Sequence, residues 1–304
     1  NDILNDAIVT GSSIVLIGSF FWIPGFLWYM WRKKCKTRRQ KALLLGCLLA
    51  AFTVPMPTTR KLTKLKLWDR FLQYFSGRVV GEAQAGLNQQ TLFCLVPHGI
   101  FPFGIALGSL GRLNEAVFNN LRPVVATSIT RVPIIGHILG LIGAVDASPA
   151  TVDKALSEGH SLGLAPGGIA EIFLDSKAGK EYALLKNRKG FIKQAMAHGV
   201  PIVPVYVFGN SDTFRRVQLP MWLEAASRLL KVSLVLFWGR WGLPVPFKIP
   251  LTYAVGKAIE VKKNASPSAE EVDALHTLFC AGLMQLFERH KDECGWQHKH
   301  LELI

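Results

Sequence analysis

His98 follows an apolar run, Thr91–Val96, and stands between Pro97 and Gly99. A run of that length and composition reads as a buried strand. The imidazole is therefore expected at a strand's carboxyl end, where open α/β sheets keep their sites. Histidine titrates near neutral pH and can take a hydroxyl's proton as that hydroxyl attacks a carbonyl carbon. A single histidine in apolar surroundings is more often structural, so its neighbours decide the matter.

A second apolar run, Ser161–Ala165, leads into Pro166-Gly167-Gly168-Ile169-Ala170-Glu171. Glycine turns after strands expose backbone N–H groups, which makes Gly99, Gly167 and Gly168 candidates for holding an oxyanion. Glu171 can point into the same cleft. The plainer account is a strand-to-helix turn with Glu171 near the next helix's start. Arg188, Lys189, Lys193 and Arg215, with Arg216, are suited to the phosphates of an anionic substrate. Solvated surface is the competing account for each, least so for Arg188. His290, Cys294, His298 and His300 fit no standard zinc spacing, so no metal is expected. A serine hydrolase is disfavoured, because no Gly-x-Ser-x-Gly nucleophile elbow is expected.

The elements that must position these residues alternate. Short apolar runs, Thr91–Val96, Pro123–Ser128, Ser161–Ala165 and Pro201–Phe208, are separated by helical segments at Ile134–Ile142, Thr151–Glu158 and Gly190–His198. A long helix comes next at Ser268–His290, and an amphipathic stretch, Leu65–Phe75, precedes them all. This predicts an α/β fold, a mixed sheet flanked by helices. Val232–Leu251, with Trp238, Trp241 and Phe247 among Gly and Pro, is too broken for a helix. It reads as a loop that packs on a membrane or shapes an apolar channel, with a core role nearly as well supported.

Half of the 304 residues are hydrophobic and only 18% are charged, below the roughly 25% of soluble domains. Mean hydropathy is +0.26, which points toward a membrane. From Ala7 to Trp31 there are 25 residues without a charged side chain, enough as one helix to cross a hydrocarbon core of about 30 Å. Trp22, Trp28, Tyr29 and Trp31 beside Arg32, Lys33 and Lys34 read as an interfacial belt with a basic flank. Asp2 and Asp6 precede the stretch, so it does not read as a secretory signal. The shorter run Ala42–Pro55 suits a re-entrant or interfacial helix. Seven of the ten residues Arg32–Lys41 are basic, which assigns that stretch to the cytosolic face; a hairpin turning near Pro24-Gly25 would also keep it there. The expected division is a membrane element over residues 1–60 and a catalytic domain over 61–304. Five cysteines, Cys35, Cys47, Cys94, Cys280 and Cys294, are odd in number and widely spaced, as reduced thiols of a cytosol-facing protein would be. The formal net charge of +14 favours an anionic partner. No nucleic-acid recognition motif accompanies it, so no nucleic acid is expected.

Arg188-Lys189-Gly190-Phe191-Ile192-Lys193-Gln194-Ala195, continuing through Gly199 and Val203-Pro204 to Phe208-Gly209, closely resembles the long signature of the type-2 diacylglycerol acyltransferase and monoacylglycerol acyltransferase family. Pro97-His98-Gly99 is similar to the end of that family's His-Pro-His-Gly, and Pro166–Glu171 to its Pro-Gly-Gly-x-x-Glu. Gly239-Arg240-Trp241-Gly242-Leu243-Pro244 and Leu301–Ile304 also resemble family segments, so the likeness runs from Trp68 to Ile304. It implies a glycerophosphate-acyltransferase-like fold and transfer of an acyl group from acyl-CoA to a neutral lipid, diacylglycerol first. His98 is the implied base, and the basic residues the implied acyl-CoA contacts. Acyl-CoA enters as substrate, with no cofactor. Monoacylglycerol, a long-chain alcohol or a sterol are alternative acceptors, and a lipid-binding or droplet-coating protein is the non-enzymatic alternative. The implied setting is the endoplasmic reticulum membrane, or lipid droplets, among membrane lipids; the sequence leaves oligomeric state open.

The departures are informative. The first His of His-Pro-His-Gly is Val96, and Ile202 and Asn210 depart from the long signature. The wider glycerophosphate acyltransferase superfamily has an Asp five residues after its His to orient it, where this chain has Phe103. Glu171 is the expected substitute. Gly143–Ser148 lacks the Arg with which that superfamily holds a phosphate, which by analogy makes the acceptor uncharged.

Overall fold

The structure, a computed structural model, describes residues 2–54, 57, 59–86, 88–132, 134–174, 179–220, 223 and 235–304. Among these residues the chain opens with helices α1 (Asp2–Leu16), α2 (Ser19–Tyr29), α3 (Arg38–Ala51) and α4 (Lys66–Tyr74). Strands β1 (Arg78–Gly81) and β2 (Leu92–Val96) come next, then α5 (Phe103–Gly108), α6 (Gly111–Ala116) and β3 (Arg122–Val125). After α7 (Thr127–Thr130) and α8 (Ile135–Leu141) come β4 (Val145–Asp146), α9 (Pro149–Ser157), β5 (Leu162–Leu164) and β6 (Lys180–Ala183). The remainder is α10 (Gly190–His198), β7 (Ile202–Phe208), β8 (Arg215–Arg216), β9 (Phe237–Trp238), β10 (Thr252–Val255), α11 (Ala269–His290) and β11 (His300–Leu303).

Seven strands form one mixed sheet in the order β1-β10-β7-β2-β5-β3-β4, in which only β10 and β7 pair antiparallel. Every residue of β2 and of β7 is buried, as expected of strands covered on both faces. Side chains alternate between those faces. Leu92, Cys94 and Val96 enter a core with α9, α10 and α11. Phe93 and Leu95 enter another, built from α4, α5 and α6. A capping box between Ser268 and Glu271 starts α11, and Gly199, at φ +68°, ends α10 in the left-handed conformation that glycine adopts freely.

The N-terminal segment differs from the sequence expectation in two respects. No single described helix is long and apolar enough to cross a membrane; α1 and the stretch Ser19–Lys34 pass together by length and composition, bent by 50°. The bend lies at Ile17-Gly18, where an added Cβ would meet the Ile14 carbonyl oxygen at 2.1 Å and Pro244 at 3.1 Å. Helix α2 runs on through Pro24, so no hairpin turns there. In addition, α1 is docked. Val9 (0% exposed) and Ile17 (3%) join the core beside α4, and Asp6 Oδ1 lies 2.7 Å from Arg240 Nη1. Helix α3 buries no residue; Leu43, Leu45 and Leu49 are exposed. Pro55, the end of the run Ala42–Pro55, lies outside the described residues.

Residues 232–234 of the aromatic segment also lie outside them. The rest of that segment is split between two roles: Val245 and Leu251 are in the core, while Trp241 is 64% exposed at φ +58°.

Candidate active site

Strands β7, β2 and β5 are parallel neighbours, so the residues just beyond them meet at one edge of the sheet. From β2 come Pro97-His98-Gly99, from β5 Pro166–Glu171, and from β7 Gly209-Asn210. Residues far apart in sequence thus converge because three adjacent strands end together.

The imidazole of His98 is partly buried, with Nδ1 2.7 Å from the Gly99 carbonyl oxygen. A carbonyl only accepts, so Nδ1 carries the proton and Nε2 keeps its lone pair. Among the described residues Nε2 has no hydrogen-bond partner. Burial lowers the His98 pKa below the ordinary 6.5, partly offset by the bond to Gly99. The ring is neutral at pH 7 and presents a free basic nitrogen.

Glu171 lies beside this group but not on its ring. Its Oε2 accepts the His98 backbone N–H at 2.7 Å and its Oε1 accepts that of Leu184 at 2.8 Å. The expected carboxylate–imidazole pair is therefore replaced by a carboxylate–backbone pair, because the turn brings the amide of His98 to Glu171 and its ring to Gly99. The carboxyl is 4% exposed. Burial raises its pKa to about 7, against the opposing effects of the two N–H donors and of Arg188.

The glycines have structural causes of their own. A Cβ on Gly167 would fall 2.1 Å from Glu171 Oε1, so the turn wraps its own glutamate closely enough to exclude any side chain. Gly168 has φ +59°, and its N–H donates to the Ala165 carbonyl at 3.1 Å, which removes it from the candidate oxyanion donors. The N–H groups of Gly99 and Gly167 donate to nothing among the described residues.

The basic candidates are dispersed. Arg188 and Lys193 are exposed on either side of the start of α10. Lys189 pairs with Asp273 at 2.6 Å, and Arg215 lies over the Phe247 ring at 5.5 Å. Arg188 is the candidate that acts electrostatically on Glu171. Within Gly143–Ser148, Asp146 accepts from Thr127 and Thr130 hydroxyls at 2.9 Å and from the Ser148 N–H at 2.8 Å.

Against the sequence expectation, the stretch Gly159–Gly163 does have Gly-x-Ser-x-Gly spacing. Its Ser161 lies just before β5, at the sheet edge opposite His98, and its Oγ accepts the Thr91 N–H at 3.1 Å. The chain there passes from α9 into a strand, the reverse of a nucleophile elbow.

The residue that sequence reasoning undervalued is Asn210. It is fully buried (0% exposed), and its Nδ2 donates to the carbonyls of Pro97 at 2.9 Å and His98 at 2.8 Å. Its only signal in the sequence is its departure from the long signature.

The chain is similar in sequence to named acyltransferases. Human (Homo sapiens) 2-acylglycerol O-acyltransferase 3 is 31% identical over 249 residues, covering 75% of this chain and 72% of that protein. Human diacylglycerol O-acyltransferase 2 is 30% identical over 249 residues, covering 75% of this chain and 64% of that protein. A solved structure, the 1-acyl-sn-glycerophosphate acyltransferase PlsC from Thermotoga maritima, covers 94% of this chain and 96% of its own at 13% identity and TM-score 0.48, too loose a likeness to bear on the site. The family model described as diacylglycerol acyltransferase matches residues 40–304, which hold the whole site, and the chain belongs to that family.

Proposed function

We propose that this chain transfers a fatty acyl group from acyl-CoA to the free hydroxyl of a neutral glycerolipid, with diacylglycerol as the acceptor and triacylglycerol as the product. The observation that carries the reading is the Nδ1–H to Gly99 bond, which leaves Nε2 of a neutral His98 as a base at the edge where three strands end. In this mechanism Nε2 takes the acceptor's hydroxyl proton as its oxygen attacks the thioester carbon. Backbone N–H groups of Gly99 and Gly167, unused among the described residues, are available to the oxyanion that forms. Collapse breaks the carbon–sulfur bond, and the imidazolium returns its proton to the departing thiolate. No covalent intermediate is required.

Glu171 serves as a positioning residue for the His98 turn. Arg188 and Lys193, with Lys189 and Arg215, supply positive charge for the coenzyme A phosphates. Gly143–Ser148, which has no Arg to hold a phosphate, disfavours a phosphorylated acceptor. The fold is of the glycerophosphate acyltransferase kind. Residues 1–60 form the membrane element and 61–304 the catalytic domain; the exposed aromatic residues of α2 and the basic stretch Arg32–Lys41 support attachment to the cytosolic face of the endoplasmic reticulum.

Purified protein incubated with labelled oleoyl-CoA and a panel of diacylglycerol, monoacylglycerol, long-chain alcohol and sterol tests the reading. Labelled triacylglycerol is the expected main product. Product from another acceptor would reassign the substrate, and absence of any acceptor-dependent product would leave a lipid-binding protein.

A further inference from the structure

The acyltransferase mechanism needs an oriented imidazole, yet Phe103 occupies the place of the usual orienting acid and Glu171 grips only the amide of His98. Something must hold the other side of the turn. Gly209, at φ +87° and placed so that an added Cβ would fall 2.2 Å from the Pro250 carbonyl oxygen, turns the chain sharply at the end of β7. That turn returns Asn210 across the sheet edge to the loop beyond β2.

Both protons of the Asn210 amide are used there. Nδ2 donates to the Pro97 carbonyl oxygen at 2.9 Å and to that of His98 at 2.8 Å. Its Oδ1 accepts the Gly104 N–H at 3.2 Å, near the start of α5. The fit is close on both sides: a Cβ on Gly99 would fall 2.8 Å from Asn210 Nδ2. Only a side chain offering two donors and an acceptor satisfies this set, and a carboxylate of the same shape would place negative charge against two carbonyl oxygens.

We infer that Asn210 is a positioning residue for the proposed acyl transfer, clamping the carbonyls of Pro97 and His98 so that, with Glu171 on the His98 amide, the imidazole is fixed without a carboxylate on its ring. The inference rests on the acyltransferase reading. Asn210 contacts no reacting atom, and its effect passes through His98.

Asn210→Asp keeps the shape and removes donors. Burial holds the introduced carboxyl protonated, retaining one donor, until rising pH ionises it. The variant is therefore expected to lose about 10–100-fold in kcat, with the KM for oleoyl-CoA within a factor of about 2. Its kcat–pH profile should gain a descending alkaline limb absent from the wild type. A residue that merely filled space would lower the rate evenly with pH. Asn210→Ser, smaller and with one hydroxyl donor, should lose activity without gaining that limb, and it supplies the kcat and KM comparison if the Asp variant does not fold. Wild-type kcat in a folded variant would overturn the inference, as would a loss confined to KM. Absence of transfer by the wild-type protein would remove the acyltransferase reading and this inference with it, a result separable from wild-type activity that ignores Asn210.

Discussion

Glu171 reaches His98 through the main chain, with Oε2 2.7 Å from the His98 backbone nitrogen, while the ring of His98 turns to Gly99. The carboxylate thus governs where the turn sits. In Glu171→Gln the amide offers one acceptor where two N–H groups approach, so one of the bonds to His98 or Leu184 is lost. The expected result is a fall in kcat of about 10–100-fold, the scale of a displaced catalytic group, with acyl-CoA affinity within a few-fold of wild type. Steady-state kinetics with a separate binding measurement check it; near wild-type kcat would make Glu171 dispensable to the turn.

The same substitution changes how stability varies with pH. Burial raises the Glu171 pKa from the ordinary 4.5 to about 7. Between those values the native state binds the proton more tightly than the unfolded chain, so this group lowers stability as pH rises from about 4.5 to about 7 and contributes no further change above. Glu171→Gln should lack that decline. Melting temperatures of both proteins at intervals across the window provide the test, and parallel curves would contradict the raised pKa.

Gly167→Ala should be costly because its new methyl group meets Glu171 Oε1 rather than open space. Loss of both stability and activity is expected. If the clash is the cause, the cost of the alanine will shrink in a Glu171→Ala background, where the carboxylate is gone. Additive losses in that double-mutant cycle would place the effect elsewhere.

The range of each interaction decides whether it can be read from sequence. The strands β2 and β7 read directly, because continuous apolar runs leave a buried strand few alternatives, and α10 occupies Gly190–His198 as expected. His98 at a strand end emerges from the same local pattern. The partner of Glu171 does not, since a backbone N–H belongs to every residue and marks none. Asn210 bonds to the His98 carbonyl across 112 positions, a distance at which no spacing rule operates. In the N-terminal stretch, hydropathy conceals the bend, because Gly18 counts as uncharged whether or not the helix passes through it. Docking of α1 on α4 depends on which face carries Asn5, Val9 and Ser13, and an average over the stretch discards that.

The N-terminal helices carry a membrane prediction of their own. Phe26, Trp28 and Tyr29 of α2 and Leu43, Leu45 and Leu49 of α3 are exposed, and Arg32–Lys41 lies between those groups. Extraction from membranes should require detergent. Release by high salt or alkaline carbonate would show that these surfaces do not enter the hydrocarbon.

His98→Ala tests the proposed base most directly. With Nδ1 protonated toward Gly99, Nε2 is the nitrogen that accepts the hydroxyl proton, and the substitution removes it while leaving the backbone bonds to Glu171 and Asn210 available. Acyl transfer should fall by about 10²–10⁴-fold, the range for loss of a positioned general base, with folding and acyl-CoA binding retained. Because burial lowers the His98 pKa, the wild-type acid limb should lie below the ordinary 6.5, and the variant should lack it. Val96 adds a control. It is fully buried in β2, with its side chain in the core shared with Tyr206 and Phe287, so Val96→His cannot present an imidazole at the sheet edge and should not restore activity to the His98→Ala protein. Retained turnover with an unchanged pH profile in a folded His98→Ala protein would eliminate His98 as the base and leave the family assignment standing without this mechanism.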